Sequence, residues 1–421
     1  EQPNLNNKKW FKQEQIVEND DRFAFPLSEA EAQKLLNSCE PANLPAMTGR
    51  NELVIDWEAE LSKPGIFPAH RLEEFKSFLK NKTPGVFSRT EYDVGCLDKK
   101  YGFVDSFPLT TKEPVFSKPY VFNAIRQSQI QNTFNKLEQN GLVVKGHSRY
   151  ATPCLLVPKG DGRIRLVIDF RKLNACCETS NQPVPRIETL MQMIADSKPK
   201  IFSTCDISNA FHSLQLGPEA MLQSSVVTPT CQYLPTRLIF GYKNSPALFL
   251  QALQKVFAEL PPDDNNIPYC TFYFDDIVIF SRTEEDHMRH LKNVITLLHK
   301  VGLKIQSTKN HFFQPKIELL GKVITGTTVS PQKKHIESLS RFPTPTNVKQ
   351  LQSLLGLVCW SHALIPDYSQ TIQPLTKLLR KDEPFIWSSE QQRTFEYLKE
   401  VLTERTVLYF SNHELPYYLS C

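Results

Sequence analysis

The stretch Cys270-Thr271-Phe272-Tyr273-Phe274-Asp275-Asp276-Ile277-Val278-Ile279-Phe280-Ser281 constrains this chain more than any other. Two runs of β-branched and aromatic residues flank two adjacent acids, which is the pattern of strand, tight turn and strand. Strands this apolar need protein cover on both faces, so the acid pair is expected at the lip of a core. Two readings of the pair are open at this point. Aspartate is an ordinary turn residue, and the pair could be no more than a polar hairpin tip. Alternatively the pair is functional. Carboxylates about 4 Å apart repel by roughly 4 kcal/mol at an effective dielectric near 20. They are tolerated when exposed, when one is protonated, or when hard divalent cations sit between them.

The remaining sequence narrows the class. At 421 residues the chain exceeds a single core, and about two to four domains are expected. No apolar run is long enough to span a membrane, and Glu1-Gln2-Pro3-Asn4 lacks the basic and apolar regions of a secretory signal. A soluble, intracellular protein is expected. The 10 cysteines include no C-x-x-C pair, and only Cys176 and Cys177 are adjacent. That pattern argues against a zinc knuckle, a zinc finger or a secreted disulfide framework, and favours buried reduced thiols. A formal charge of +4 is compatible with nucleic-acid binding only if basic residues line a groove.

Taken in order, residues 1–105 mix charged runs, aromatics and prolines without recognisable chemistry, and read as an N-terminal extension or linker. Within them Leu72, Phe75, Phe78 and Leu79 form one face of a short helix closed near Pro84-Gly85. Ile130, Phe134 and Leu137 mark a helix that Gly141 ends, and Leu142-Val143-Val144 restarts an extended segment. Leu155-Leu156-Val157 and Arg165-Leu166-Val167-Ile168 flank Pro158-Lys159-Gly160-Asp161-Gly162-Arg163. This is a hairpin whose basic tip is either a solvated turn or a clamp for a triphosphate. Ile201 to Asp206 is a short strand ending in an acid, after which Asn209-Ala210-Phe211-His212 turns away. Ser245 and Pro246 are placed to cap and start a helix burying Leu248, Ala252, Leu253 and Val256. A second helix opens at Thr283, with Asp286 completing a capping box, and stops at Gly302. Beyond Pro343-Thr344-Pro345-Thr346, three helical stripes (Val348 to Val358, Leu375 to Leu379, Phe395 to Leu402) predict a small helical domain. The element order suits an α+β sheet covered by helices.

Five segments together resemble the reverse transcriptase of gypsy-type LTR retrotransposons, over roughly residues 106–421. They are Leu166-Val167-Ile168-Asp169-Phe170-Arg171-Lys172-Leu173-Asn174, Asp206 with Phe211, Phe240 to Phe249, Tyr273-Phe274-Asp275-Asp276, and Leu319-Leu320-Gly321. Leu354-Leu355-Gly356-Leu357 and Pro374 to Leu379 extend the likeness towards the C-terminus. The resemblance implies a right-hand polymerase of the α+β class with an antiparallel palm sheet and a helical thumb and connection. It places the fingers at 106–200 (with part of the palm), the palm at 201–325, the thumb at 326–385, and the connection with the first strand of a truncated ribonuclease H domain at 386–421.

It further implies RNA- and DNA-templated DNA synthesis from a primer 3′-hydroxyl with dNTPs. Asp206 and Asp275 would bridge two Mg²⁺ ions, for which Mn²⁺ could substitute, and Asp276 would be a third, peripheral acid. Lys159, Arg165, Phe211, Phe240, Gly241 and Lys309 would bind the nucleotide, with Phe211 excluding a 2′-hydroxyl and Lys309 protonating pyrophosphate. Phe211 as a core ring and Lys309 as a solvated lysine are the plain alternatives. Leu320 and Gly321 would grip the primer. The implied partners are an RNA template, RNA/DNA hybrid, DNA duplex, primer and dNTPs, in a monomer, homodimer or asymmetric dimer without membrane contact. A cytoplasmic, non-secreted location within virus-like particles is expected.

Some positions depart from the family pattern: Leu238-Ile239 and Tyr242 around the pocket motif, and Gln223-Ser224-Ser225 upstream. They bear on the pocket's shape and remove no carboxylate. Tyr417 to Cys421 is similar to the strand that precedes the first metal-binding aspartate of a ribonuclease H domain, and that aspartate is not in the sequence. No ribonuclease H activity is therefore expected of this chain, which reads as part of a larger polyprotein. Two other functions compete. An RNA-dependent RNA polymerase would use the same palm, but Phe211 opposes it. A non-catalytic nucleic-acid-binding subunit would have no reason to keep mutually repelling acids.

Overall fold

A computed structural model describes residues 54–158, 164–381, 383–404 and 407–409. In chain order its principal elements begin with α1 (Ala69–Lys82), α2 (Ala124–Gln139), β1 (Val143–Lys145), β2 (Thr152–Pro158) and β3 (Ile164–Ile168). They continue with α3 (Ile187–Asp196), β4 (Ile201–Asp206), β5 (Val226–Val227), β6 (Gln232–Pro235), α4 (Ser245–Phe257), β7 (Cys270–Tyr273), β8 (Asp276–Ser281) and α5 (Glu284–Val301). The rest are β9 (His311–Gln314), β10 (Ile317–Leu319), β11 (Lys322–Ile324), β12 (Thr328–Pro331), α6 (Val348–Trp360), α7 (Ser389–Glu404) and β13 (Leu408–Tyr409). No helix among the described residues is long and apolar enough to cross a membrane.

The chain forms two compact units. The first takes in residues 103–180 and 214–245. Its five-stranded sheet runs β1-β6-β5-β2-β3, antiparallel except for the parallel pair β2/β5. Asn123 caps α2 by accepting from the Arg126 amide, Ile130 and Phe134 are its buried face, and Gly141 leaves the helix at φ +68°. The expected hairpin of β2 and β3 is present in register Cys154 to Ile168. Its tip, including Lys159 and Arg163, lies outside the described residues.

Among the described residues the second unit takes in 54–102, 181–213 and those from 246 onward. Its central sheet is antiparallel throughout, in the order β9-β4-β8-β7. Alternation along β4 and β8 sorts their side chains onto two faces. Phe202, Val278 and Phe280 pack against Met191 and Ile194 of α3 and Ile317 of β10. The opposite face meets α5, whose N-cap Thr283 accepts from the Asp286 amide and whose stop is Gly302 at φ +84°. Strand β8 is buried beyond its acid, as expected, whereas β7 is the sheet edge and only half-buried. Cover on both sides therefore holds for one strand of the hairpin and not for the other.

The stretch before residue 102 shows why it looked featureless. Its pairings are non-local: Ser88 N donates to Ile305 O at 2.8 Å, Cys96 N to Gly302 O at 2.7 Å and Leu97 N to Ser213 O at 2.9 Å. The apolar face of α1 is as expected, with Phe75 and Leu79 buried and Phe75 stacked on Phe67 at 4.6 Å. Toward the C-terminus a second antiparallel sheet, β10-β11-β12-β13, adjoins a helical cluster built on Leu351, Leu354, Leu375, Leu398 and Leu402. Thiols follow the expectation in part: Cys154, Cys177 and Cys205 are buried and free, but Cys359 is exposed.

Candidate active site

The acids are brought together by strand pairing. Strands β4 and β8 pair so that Asp206 lies directly opposite Asp276. Residues opposed across an antiparallel pair point to the same face, with Cβ atoms about 5 Å apart. Tyr273 and Asp276 close the β7/β8 turn, leaving Phe274 and Asp275 at its tip. Phe274 sits at φ +50°, a conformation a bulky L-residue adopts only under constraint. A backbone bond from Ile207 N to Asp275 O, 2.9 Å, ties that tip to the end of β4. Three carboxylates thus share one corner of the sheet.

Their electrostatics are unfavourable. Burial, then repulsion from Asp206 and Asp276, pushes the Asp275 carboxyl up to about 6, and its Oδ1 is buried with no hydrogen-bond partner. Asp276 is raised by burial and by Asp206. Asp206 is raised by burial and partly relieved by the Lys309 ammonium, 3.4 Å from its Oδ2. Among the described residues no three His, Cys, Asp or Glu side chains are already gathered at metal-ligand distance. The charges nevertheless raise one another, so the carboxylates are close enough to interact. An all-oxygen donor set with an unpartnered buried oxygen suits a hard divalent cation.

Around this corner, Phe211 lies on a short 3-10 turn, Ala210–Ser213, five residues beyond Asp206. It is half-buried and meets Phe249 edge-on at 5.7 Å, so part of its surface is core. Leu320 and Gly321 form the two-residue turn between β10 and β11, at φ +50° and +73°. A Cβ on Gly321 would stand 3.2 Å from Trp360 Nε1, so the close approach of α6 calls for glycine here. The packing of Ile317, Leu319 and Ile324 with Phe202, Val278 and Phe280 sets this hairpin on the acid-bearing face of the sheet.

The remaining nucleotide-binding candidates belong to the first unit. Arg165 is exposed on β3 with its guanidinium 5.6 Å from the centre of the Phe240 ring. Gly241 sits at φ +102°, and a Cβ would meet the Ile168 carbonyl at 3.3 Å. Here the structure supplies a residue that sequence reasoning quoted without a role. Asn174 donates from Nδ2 to Gly241 O at 2.8 Å and accepts the Lys243 amide on Oδ1 at 2.9 Å. It thus fixes the loop carrying Phe240 and Gly241. Tyr242, one of the departures from the family pattern, is buried against Phe107 at 4.1 Å. Also missed was a pair of histidines, His287 and His290, buried on α5. Their signal was present: two polar residues at spacing three within a helix face otherwise occupied by Met288, Leu291 and Val294.

Comparison with known proteins agrees with this geometry. Residues 157–324 match the family model described as reverse transcriptase (RNA-dependent DNA polymerase). The chain is 28% identical over 326 residues to the retrovirus-related Pol polyprotein from transposon opus of Drosophila melanogaster, covering 74% of this chain and 32% of that one. It is equally identical, over 328 residues, to the polyprotein from transposon gypsy of the same organism, covering 73% and 31%. The chain spans about a third of the length of these curated relatives. Among solved structures it is similar to the foamy viral protease-reverse transcriptase in complex with dsDNA, with a TM-score of 0.75, 25% identity, and 88% and 76% of the two chains covered. The same viral protein in complex with RNA/DNA hybrid gives a TM-score of 0.70 at 24% identity, covering 86% and 49%. Strand order, acid placement and these likenesses converge: residues 157–324 match the reverse transcriptase family, and the chain is similar to the Pol polyproteins of LTR transposons.

Proposed function

We propose that this chain extends a primer 3′-hydroxyl with dNTPs on RNA and DNA templates, with Asp206, Asp275 and Asp276 as the carboxylates of a two-metal site. The observation that carries the reading is Asp275, a raised carboxyl with a buried, unpartnered Oδ1 beside two further acids. A fold that keeps three such groups together at a cost of its own needs a cationic ligand there. The residues present fit divalent Mg²⁺ or Mn²⁺, which when bound would lower the hydroxyl pKa and neutralise charge on the departing pyrophosphate.

The chain's own residues account for the rest. Asp206 and Asp275 would hold the cations, and Asp276 would add negative charge from the opposed strand position. Lys309, 3.4 Å from Asp206, would deliver a proton to an anionic leaving group. Phe211 offers a ring that excludes a 2′-hydroxyl while its other edge rests on Phe249. Arg165, with Lys159, supplies cations for a triphosphate, and the Asn174-held loop shapes the pocket at Phe240 and Gly241. Leu320 and Gly321 support the primer end. RNA/DNA hybrid and DNA duplex are the nucleic-acid partners, held mainly through phosphates and hence salt-sensitive. In this reading residues 106–200 supply the fingers with part of the palm, 201–325 the palm, 326–385 the thumb and 386–421 the connection.

Primer extension on an RNA template with Mg²⁺ tests this, comparing four dNTPs with four rNTPs. Extension with dNTPs alone is expected. Extension with rNTPs would replace the reading with an RNA polymerase, and tight primer-template binding without extension would replace it with a non-catalytic subunit.

A further inference from the structure

Behind the acid-bearing sheet lies a continuous chain of buried side chains that the proposed chemistry does not use. His287 Nε2 is 2.6 Å from Ser203 Oγ on β4, and His287 Nδ1 is 2.9 Å from Ser281 Oγ on β8. Ser281 Oγ is in turn 2.8 Å from His290 Nδ1. Ser203 also accepts the Phe313 amide of β9 at 3.1 Å. His287 and Ser203 are fully buried, and Ser281 and His290 are nearly so. One helix is thereby hydrogen-bonded to two strands of a four-stranded sheet, and Ser203 carries the link on to a third.

Proton placement in this chain follows from its blind end. His290 Nε2 is buried without a partner, and an N–H left there would be an unsatisfied donor. The His290 proton therefore belongs on Nδ1, donating toward Ser281. Ser281 then donates to His287 Nδ1, which leaves His287 Nε2–H to donate to Ser203. Every link is satisfied with both imidazoles neutral.

We propose that His287 is a positioning residue for the carboxylate site, acting from the far face of the sheet to hold β4 and β8 in the register that opposes Asp206 to Asp276. The alternation of strand side chains supports this. Ser203 precedes Asp206 by three residues and Ser281 follows Asp276 by five, so both serines point away from the acids. Like charges directly opposed across a strand pair push it apart. The acids oppose each other at one end of the strand pair and Ser281 faces Ile201 at the other, so His287 ties the two strands behind the acids and fixes the register that the whole pair shares. This inference rests on the two-metal reading of the three acids.

The test uses the full chain with His287→Gln, and with Ser281→Ala as a milder cut in the same chain. Two readouts separate positioning from a merely structural role. The first is Mn²⁺ binding by electron paramagnetic resonance without nucleotide or nucleic acid. The second is the burst rate of single-nucleotide incorporation, with the burst amplitude counting correctly folded molecules. Expected are Mn²⁺ binding weakened severalfold and a burst rate lowered by about tenfold to a hundredfold, the effect of a small misplacement of catalytic groups. Ser281→Ala should move both readouts in the same direction by less. A reduced amplitude with unchanged burst rate and unchanged Mn²⁺ affinity would overturn the proposal, since His287 would then serve stability alone. If the wild-type chain neither binds Mn²⁺ nor extends a primer, the two-metal reading falls, and this one with it.

Discussion

Asp275→Asn should make the protein more stable and inactive at once. The substitution keeps the shape and removes the charge. Burial and two neighbouring acids lift this carboxyl from an ordinary 3.8 to about 6. That rise corresponds to roughly 3 kcal/mol of destabilisation by the ionised form. The group keeps partial solvent access, so screening brings the expected figure to about 1–2 kcal/mol. The sign follows from proton binding. Below 3.8 the carboxyl is protonated in folded and unfolded chains alike, and the variant gains nothing from the lost charge. Between 3.8 and about 6 the folded state binds the extra proton, so wild-type stability falls as pH rises. Above 6 the penalty is complete. Urea unfolding in EDTA at pH 8 should therefore favour the variant, and at pH 3.5 the gain should vanish. Mg²⁺ should stabilise wild type and not the variant, and extension should stop. A variant less stable than wild type at pH 8, or one still extending primers, would refute the claim that the Asp275 charge is held for a cation.

Three further outcomes are expected. Phe211→Ala should raise ribonucleotide incorporation relative to deoxynucleotides and cost about 1 kcal/mol of stability through the lost ring contact with Phe249; unchanged discrimination would mean the ring is core only. Gly321→Ala places a Cβ at φ +73° against Trp360, which should cost about 1 kcal/mol or more locally. It should speed primer dissociation while leaving the KM for dNTPs unaltered, and an unchanged dissociation rate would remove the turn from the primer site. Burial, then the charge of His290, depresses His287 from 6.5 to about 3. Its contribution to stability is thus present above 6.5 and lost as pH falls toward 3, on the order of 5 kcal/mol in all. Asp263, Asp286 and Arg289 act on the adjoining His290. His287→Gln should flatten the acid limb of the unfolding profile, and an unaltered limb would contradict a neutral buried imidazole.

Much of the site was legible in the sequence because its signals are local. The apolar runs around Asp275 and Asp276 need only neighbouring residues to define two strands and a turn. The Thr283 cap and the Gly302 stop fix both ends of α5 through bonds spanning a few residues. Even a local rule can be overridden: Ser245, expected as an N-cap, lies inside α4, and its hydroxyl donates to Ile239 O at 3.2 Å. A nearby carbonyl competed for the same hydroxyl. Val348 shows the same limit, lying on the expected stripe of α6 yet exposed.

Tertiary structure alone decided the pairings between distant segments. Nothing local opposes Asp206 to Asp276, which depends on the register of two strands about 70 residues apart. Nothing local directs residues 86–97 to Gly302 and Ile305, or Asn174 to the loop at Gly241 and Lys243. The charged residues, the caps and the periodicities are written along the chain because each acts within a turn or two of backbone. Register, the strain at Phe274 and the neutral state of His287 belong to the fold, because each is set by groups that meet only after the sheet and its helix have packed.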